Sequence, residues 1–497
     1  MKSALPISEN GAATPNHLTA GGTFHVQITA PRPRLHISAD DHRQTGFAGL
    51  LLPGELARSL DVVARLDSGV TGFKDRDRGA GAGELLVSLA ETMLAGGNHL
   101  AHLDVLRKDE ASAQLRCVAE LPARTTAGQL LRRFGEAQVA AAMRVISAAG
   151  IGHDAHLELD PAAPVTLDID ATTTEVYGRK KEGAVYNYKG QRSYQSQVIT
   201  WAERNRSVAA KLLEGSAAEA PTAPDLIDAA LSALPPDHGQ VSFRADTAYY
   251  AMDVLHRCRD RGIRFAVAVK RSKPMWRLAA TVDPDRWQQA KDMPQAEVAE
   301  TVYSPQDWKH EPLRLLIRRV RLDRDDIGDS PRCRRRATVP KEQLTLLLGG
   351  EVDHVYGYSF IITDKSGNAV NLEYWHRHRT DIEERFRDVK LDCGLIHLPC
   401  GTMNANRGWM VAALLATNMM AMLSDTLMKA APHNQTPAEE EPREPRYRTT
   451  PTMRRWLIAV PGRLVRGGRK LQLRLPASLW WADEFMRTYD MLRAFST

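Results

Sequence analysis

Three short apolar runs, PVTLDIDAT (164–172), QVSFRAD (240–246) and IRFAVAV (263–269), alternate with segments of helical periodicity, and that alternation limits the fold more than any other feature of the chain. Apolar runs of this length bounded by turn residues fit buried strands, and strands interleaved with helices call for a sheet covered by helices, an α/β or α+β arrangement. A hairpin, AVYNY with RSYQSQVITW, follows the first run, and helices are expected over 223–234 and through TAYYAMDVLHRCRDR. The first two runs end in carboxylates. Asp170 closes VTLDID, with Asp168 on the same face because strand side chains alternate with period 2, and Asp246 closes QVSFRAD. Acids at strand ends sit where loops leave a rigid sheet, the place where catalytic groups collect. Each taken singly is also a good helix cap or turn residue.

The sequence on either side changes character. From about 44 to 150 it is Ala- and Leu-rich with helical spacing, as in GELLVSLAETMLAGG and TTAGQLLRRF, the latter opened by a threonine cap. FHVQITA (24–30) alternates like a short strand behind a polar, disordered leader, residues 1–22. Between about 271 and 370 the periodicity shortens to strands, RLLIRRVRL, QLTLLL and YSFIIT. Helical text runs over 372–430, interrupted near 391–407, and PHNQTPAEEEPREP (432–445) reads as a Pro/Glu linker before a basic tail.

With 66 Lys and Arg against 60 Asp and Glu the net charge is only +6, but the bases are clustered. Ten Arg/Lys and a single acid fall between Arg443 and Arg474, and LRLLIRRVRL is followed by RCRRR. Two Arg clusters in an otherwise balanced chain point to a polyanion, nucleic acid above all. Five scattered cysteines without a C-x-x-C pair exclude a zinc ribbon or thioredoxin-type motif and suit a reducing cytoplasm. The N-terminus lacks the apolar core of a signal peptide. The longest apolar run, Trp409–Leu423, is 15 residues, short of a bilayer span. A soluble, intracellular protein without a membrane partner is the expectation.

The third acid lies in YWHRHRTDIEERFRDVK (374–390). At 100° per residue, His376, Arg379, Glu383 and Lys390 fall within roughly 60° of one another on a helix, an acid flanked by bases. A salt-bridged surface helix gives the same pattern. Together, however, two strand-end aspartates and a helical glutamate supply the ligands of a two-metal site. There, two Mg²⁺ ions about 3.5–4 Å apart activate the attacking oxygen and stabilise the leaving one in phosphoryl transfer. Hard oxygen donors suit Mg²⁺ or Mn²⁺. Zinc is disfavoured, because the two histidines of HRH (376–378) cannot point the same way on a helix.

At these residues the chain resembles a bacterial DDE transposase. His376, Arg379, Glu383 and Lys390 follow the Y-(2)-R-(3)-E-(6)-K signature of the insertion-sequence-four-like superfamily, with His in place of Tyr. The blocks DIDATTTEVYGRKKEGAVYNYKGQRSYQ, FRADTAYY, NANRGWMVAALLATNMM and WLIAVPGRLVRGGRKLQLRLP resemble the insertion-sequence 1380 family in particular, over about 45 to 490. The resemblance implies an α+β multidomain protein. A leader and short strand (1–43) would precede an all-α N-terminal DNA-binding domain (44–163). A ribonuclease-H-like core in two parts (164–270 and 372–430) would be interrupted by a β-rich insertion (271–371), and a linker with a basic segment (431–497) would close the chain.

The same resemblance implies that Asp170, Asp246 and Glu383, separated by 76 and 137 residues, are the metal-binding catalytic triad with two Mg²⁺ ions; the D-x-T pattern of Asp170 and Thr172 selects Asp170 over Asp168. Arg379 and Lys390 would contact phosphates of the transposon ends or position Glu383. His376 would donate to a phosphate or stack on a base, and the loop Arg179, Lys180 and Lys181 would lie near the scissile DNA. The implied activity is that of an insertion-sequence transposase that binds terminal inverted repeats of double-stranded DNA and cuts and pastes the element. It would act as a homodimer in the end complex, in the cytoplasm at the nucleoid. A ribonuclease-H-fold nuclease would share the triad without needing the insertion or end-specific binding. A catalytically silent DNA-binding descendant would have lost an acid, and all three acids are present.

Overall fold

All three apolar runs are strands of one large sheet, and their pairing fixes where the acids fall. The computed structural model describes residues 37–73, 78–328, 330, 333–431 and 449–495, so the leader, the FHVQITA strand and the Pro/Glu linker lie outside the described residues. From His42 onward the chain forms one unit. Its strands are β1 (Gln44–Thr45), β2 (Val165–Glu175), β3 (Val185–Tyr186), β4 (Arg192–Trp201), β5 (Arg206–Glu214), β6 (Val241–Ala245), β7 (Arg264–Val269), β8 (Gln288–Gln289), β9 (Ala296–Tyr303), β10 (Leu313–Asp323), β11 (His354–Thr363), β12 (Gly462–Gly467) and β13 (Lys470–Arg474).

Strands β2 to β11 share a sheet of order β3-β4-β2-β6-β7-β11-β10-β9-β8, with β5 also paired to β4. Neighbours pair antiparallel except in the centre, where β2, β6 and β7 run parallel. Parallel neighbours need a crossover. The helices Ala223–Leu231 and Met252–Asp260 lie on those connections, before β6 and before β7. In the β2–β6 ladder Val165 faces Val241 and Asp168 faces Arg244, an offset of 76 residues that is also the separation of Asp170 from Asp246.

The centre of the sheet is covered on both faces. Leu167, Ile169, Phe243 and Phe265 pack with Ile227 and Leu255 of the crossover helices. Ala266, Leu316 and Ile361 pack with Leu372 of the helix Ala369–Arg377. Asp168 and Arg244 are buried. They form a two-pronged ion pair at 2.6 and 2.7 Å. Arg244 also donates to the Trp375 carbonyl and lies 5.0 Å from the centre of the Trp375 ring. This one guanidinium therefore joins β2, β6 and the helix Ala369–Arg377.

Helices between Leu51 and His156 do not close a core of their own. Leu85, Leu89, Met93 and Ile146 share a cluster with Met410, Leu414 and Met419 of the helix Met403–Ala430, with Leu492 near the C-terminus, and with Tyr194 and Val198 of β4. The helix Met403–Ala430 is long and apolar enough to cross a bilayer, yet 94% of its most apolar window is buried inside the chain. Its polar interruption is used: Asn418 accepts from the Ser207 N–H and donates to the Ser207 carbonyl, each at 2.9 Å, where β5 bulges against β4.

Two expectations change. The segment 271–371 is β-rich, but β8 to β11 extend the main sheet through antiparallel pairing of β11 with β7. QLTLLL is not a strand; it lies in the helix Lys341–Gly349, where Leu347 alone is buried. The basic tail forms the hairpin β12–β13, which takes β1 as a third strand.

The buried ion pair yields a direct test. Arg244→Ala strands Asp168 in the core, a change worth about 3–5 kcal/mol. Burial already pushes the Asp168 carboxyl up to about 6 with its partner present. Without that partner it takes a proton more readily, so the loss should shrink on going from neutral to mildly acidic pH. Denaturant titrations at two pH values measure this, and a pH-independent loss under about 1 kcal/mol would contradict it.

Candidate active site

Beyond the last β2–β6 pair, Asp170 and Asp246 line one cleft of about 1070 Å³ together with Glu219. Asp170 accepts from its neighbour's N–H (Ala171, 2.8 Å) and lies 3.5 Å from Arg379. Asp246 begins the short turn Thr247–Tyr249 and accepts from the Ala248 N–H at 2.9 Å, so the capping role and a place on the cleft coexist in one residue. Asp170 is pushed up to about 6, first by burial and then by Asp246 and Glu383, against the pull of the Ala171 N–H and Arg379. Glu219 is pushed up to about 7 by burial, then by Asp246 and Asp170.

Glu219 escapes a reading of the sequence. GSAAEAPTAPDL shows only a glutamate ahead of a helix, and nothing in its spacing links it to the strand ends. The β4 residue Gln197 brings it there, donating to the Glu219 carbonyl at 2.9 Å while its own oxygen accepts from Thr222 at 2.6 Å.

Glu383 approaches from the opposite wall, on the helix Asp381–Arg387, and shares a second pocket with Asp170, Thr172 and Lys390. That helix buries Ile382, Arg385 and Phe386 and leaves Glu383 exposed. Arg385 anchors it: its guanidinium donates to the Asn205 carbonyl, to Ser207 Oγ (3.3 Å) and to Asn418. The segment 369–392 is not one regular helix, since a 3₁₀ turn (His378–Thr380) precedes Glu383 and a π-helical turn (Asp388–Asp392) follows it. Arg379, Glu383 and Lys390 nevertheless all stand about Asp170, while His376 turns to the core.

His376 is buried and donates from Nε2 to the Ala245 carbonyl at 3.2 Å, one residue before Asp246. Burial pushes its imidazole down to about 3, so it stays neutral. This corrects its expected role at a phosphate or base: the ring supports the strand end from behind. Arg379 neighbours Asp170, while Lys390 donates to the Thr173 carbonyl at 2.7 Å and lines both pockets. In the expected basic loop Arg179 and Lys180 are exposed in a turn. Lys181 instead turns inward to the carbonyls of Leu398 and Cys400. Asp168, committed to Arg244, is not available to the cleft.

A divalent ion fits the chemistry of this donor set. The carboxylates crowd one another, with Arg379 beside Asp170, and every donor is a hard oxygen. Among the described residues no three His, Cys, Asp or Glu side chains already stand as a ligand set for one ion, so the acids line an open cleft.

The model of a family described as Transposase DDE domain group 1 matches residues 29–327 and 349–497, nearly the whole length, and the chain belongs to that family of DDE transposases. No curated protein matches the chain in sequence. Among solved structures, a piggyBac transposase synaptic complex with hairpin DNA aligns at 10% identity over 76% of this chain and 75% of that one, with a TM-score of 0.35.

The raised Asp170 predicts a pH-dependent cost. In the folded state this carboxyl titrates near 6, above its unfolded value of about 4. The folded chain thus holds the proton longer, and stability is lost as pH rises through that window. In chelator, Asp170→Asn should stabilise the chain by about 1–3 kcal/mol at mildly alkaline pH and by nothing below about pH 4. Mg²⁺ should then raise the melting temperature of wild type but not of the variant. Equal melting curves at all pH values would contradict the clustering of the acids.

Proposed function

We propose that the chain is the transposase of a bacterial insertion sequence of the 1380 type, binding terminal inverted repeats and moving its element by cut-and-paste cleavage and strand transfer. The observation that carries this reading is the placement of Asp170 and Asp246, at two parallel strand ends, on one cleft, with Glu383 of a later helix beside Asp170 in an adjoining pocket. The sheet order β5-β4-β2-β6-β7, three antiparallel strands followed by two parallel ones, supports a ribonuclease-H-like core. Asp170, Asp246 and Glu383 would hold two Mg²⁺ ions, with Mn²⁺ able to substitute. Bound there, the metals would activate the attacking water or 3′-hydroxyl and neutralise the leaving oxygen.

The protein's own groups prepare the cleft. Arg379 balances Asp170 at 3.5 Å. His376 steadies the strand end that presents Asp246. Lys390, Lys189 and Lys181 give the cleft a cationic wall along which a DNA backbone can lie. The exposed Arg179 and Lys180 extend that basic surface, and a homodimer bringing two element ends together in the cytoplasm, at the nucleoid, completes the proposal.

Cleavage of linear DNA carrying the element's ends, with Mg²⁺, tests the reading. Asp170→Ala, Asp246→Ala and Glu383→Ala should each abolish nicking while leaving end binding within a few-fold, because metal ligands serve chemistry more than affinity. A variant that cuts normally removes its residue from the triad. Cleavage that ignores the ends would instead describe a plain nuclease. Lys390→Ala should lower the slope of log affinity against log salt by about one unit.

A further inference from the structure

One histidine, His397, lines the cleft that carries the lysines, and two more, His99 and His102, follow it outside the cleft. His397 lies there beside Ile396, with Lys181 and Lys390. Its ring packs against His99 with centroids 4.4 Å apart, and His99 stands 5.5 Å from His102. Two distant segments, GGNHLAH and LIHLPCG, supply them. Both segments are held: Lys181 donates to the carbonyls of Leu398 and Cys400, and Asn98 orients the first pair. The Asn98 side-chain oxygen accepts from His99 Nδ1 at 2.6 Å, and the Asn98 backbone N–H donates to His102 Nδ1 at 3.0 Å. A ring that accepts at Nδ1 carries its proton on Nε2, so His102 presents an N–H donor there.

Other charges nearby are already committed. Asp104, on the helix of His102, lies 3.8 Å from Arg107 and 3.2 Å from Arg124. Asp392 pairs with Arg454 at 3.3 Å. Lys390 is on the Thr173 carbonyl, and Cys400 is held neutral by burial. His397 is held below the usual imidazole range by partial burial and then by His99 and His102. The three rings do not make a metal-ligand set among the described residues. Imidazoles gathered with no carboxylate paired to them among the described residues, beside a cleft that carries three lysines, suit an anion.

We propose that His99, His102 and His397 bind one phosphodiester of the DNA strand that runs from the acids past Lys390 and Lys181, and that the cluster grips it more tightly when protonated. This rests on the reading of the cleft as a DNA site. The test is fluorescence polarisation of a labelled duplex carrying the element's end, with the full chain in chelator at fixed ionic strength, at about pH 6 and about pH 8. Wild type should bind roughly 3–10-fold tighter at the lower pH. The double substitution His99→Gln with His397→Gln, both on exposed positions, should lower that gain by about half or more, the remainder coming from neutralisation of Asp170 and Glu219 over the same pH range. Melting curves should show the variant folded.

A gain as large in the double variant as in wild type, or wild-type binding that ignores pH, overturns the histidine site while the proposed transposase stands. No DNA binding at any pH overturns both. At about pH 6, inorganic phosphate should displace the duplex from wild type more than chloride does at equal ionic strength, and no more than chloride from the double variant; equal displacement from both would overturn the phosphodiester contact.

Discussion

Everything at the candidate active site depends on the parallel pairing of β2 with β6. Its register places Asp168 opposite Arg244, and the same offset carried two residues further brings Asp170 level with Asp246. The ion pair at the last paired position acts as a lock on that register. A slip by one residue would turn Asp168 away from Arg244 and send both side chains to the wrong face. Because Arg244 also reaches the Trp375 carbonyl, the lock extends to the helix from which the Glu383 segment continues. One buried guanidinium therefore links the two strands and the wall that complete the cleft.

Electrostatics divide the cleft into two poles. Asp170 and Glu219 are held with raised proton affinity by burial and by their acidic neighbours. Such an arrangement costs stability in the absence of a cation, and clustered carboxylates of this kind are characteristic of functional sites. Along the other wall stand Lys181, Lys189, Lys390 and His397. Under the proposed function, the acid pole would take the metal and the cationic wall the phosphates, the separation of charge that phosphoryl transfer on DNA requires.

Much of this was legible in the sequence, for reasons that can be named. β2, β6 and β7 announce themselves because strands buried on both faces are continuously apolar. The three acids stand out in the sequence because two of them end those strands and the third sits in a spaced motif. β5 gave no such signal: RSVAAKLLE has no period-2 alternation, and its place as a strand comes from pairing with β4 and from Asn418. QLTLLL looked like a strand by composition, but with no partner edge to satisfy its backbone it folds as a helix. Lys390 lines a pocket with Glu383, but His376 does not share it, because the ring is buried against the Ala245 carbonyl; the π turn that carries Lys390 is of a sort that often marks functional sites. Glu219 and the histidine cluster are products of tertiary closure, which brings segments together across long stretches of chain.

The central claim is that residues 76 and 137 apart in sequence act as one metal-binding unit. Counting bound Mn²⁺ by electron paramagnetic resonance, in wild type and in Asp246→Asn and Glu383→Gln, tests it without DNA. The account predicts that wild type removes Mn²⁺ from the free signal and that either substitution releases at least one ion. Unchanged binding in both variants would show that the two acids do not share a metal, and would contradict the account.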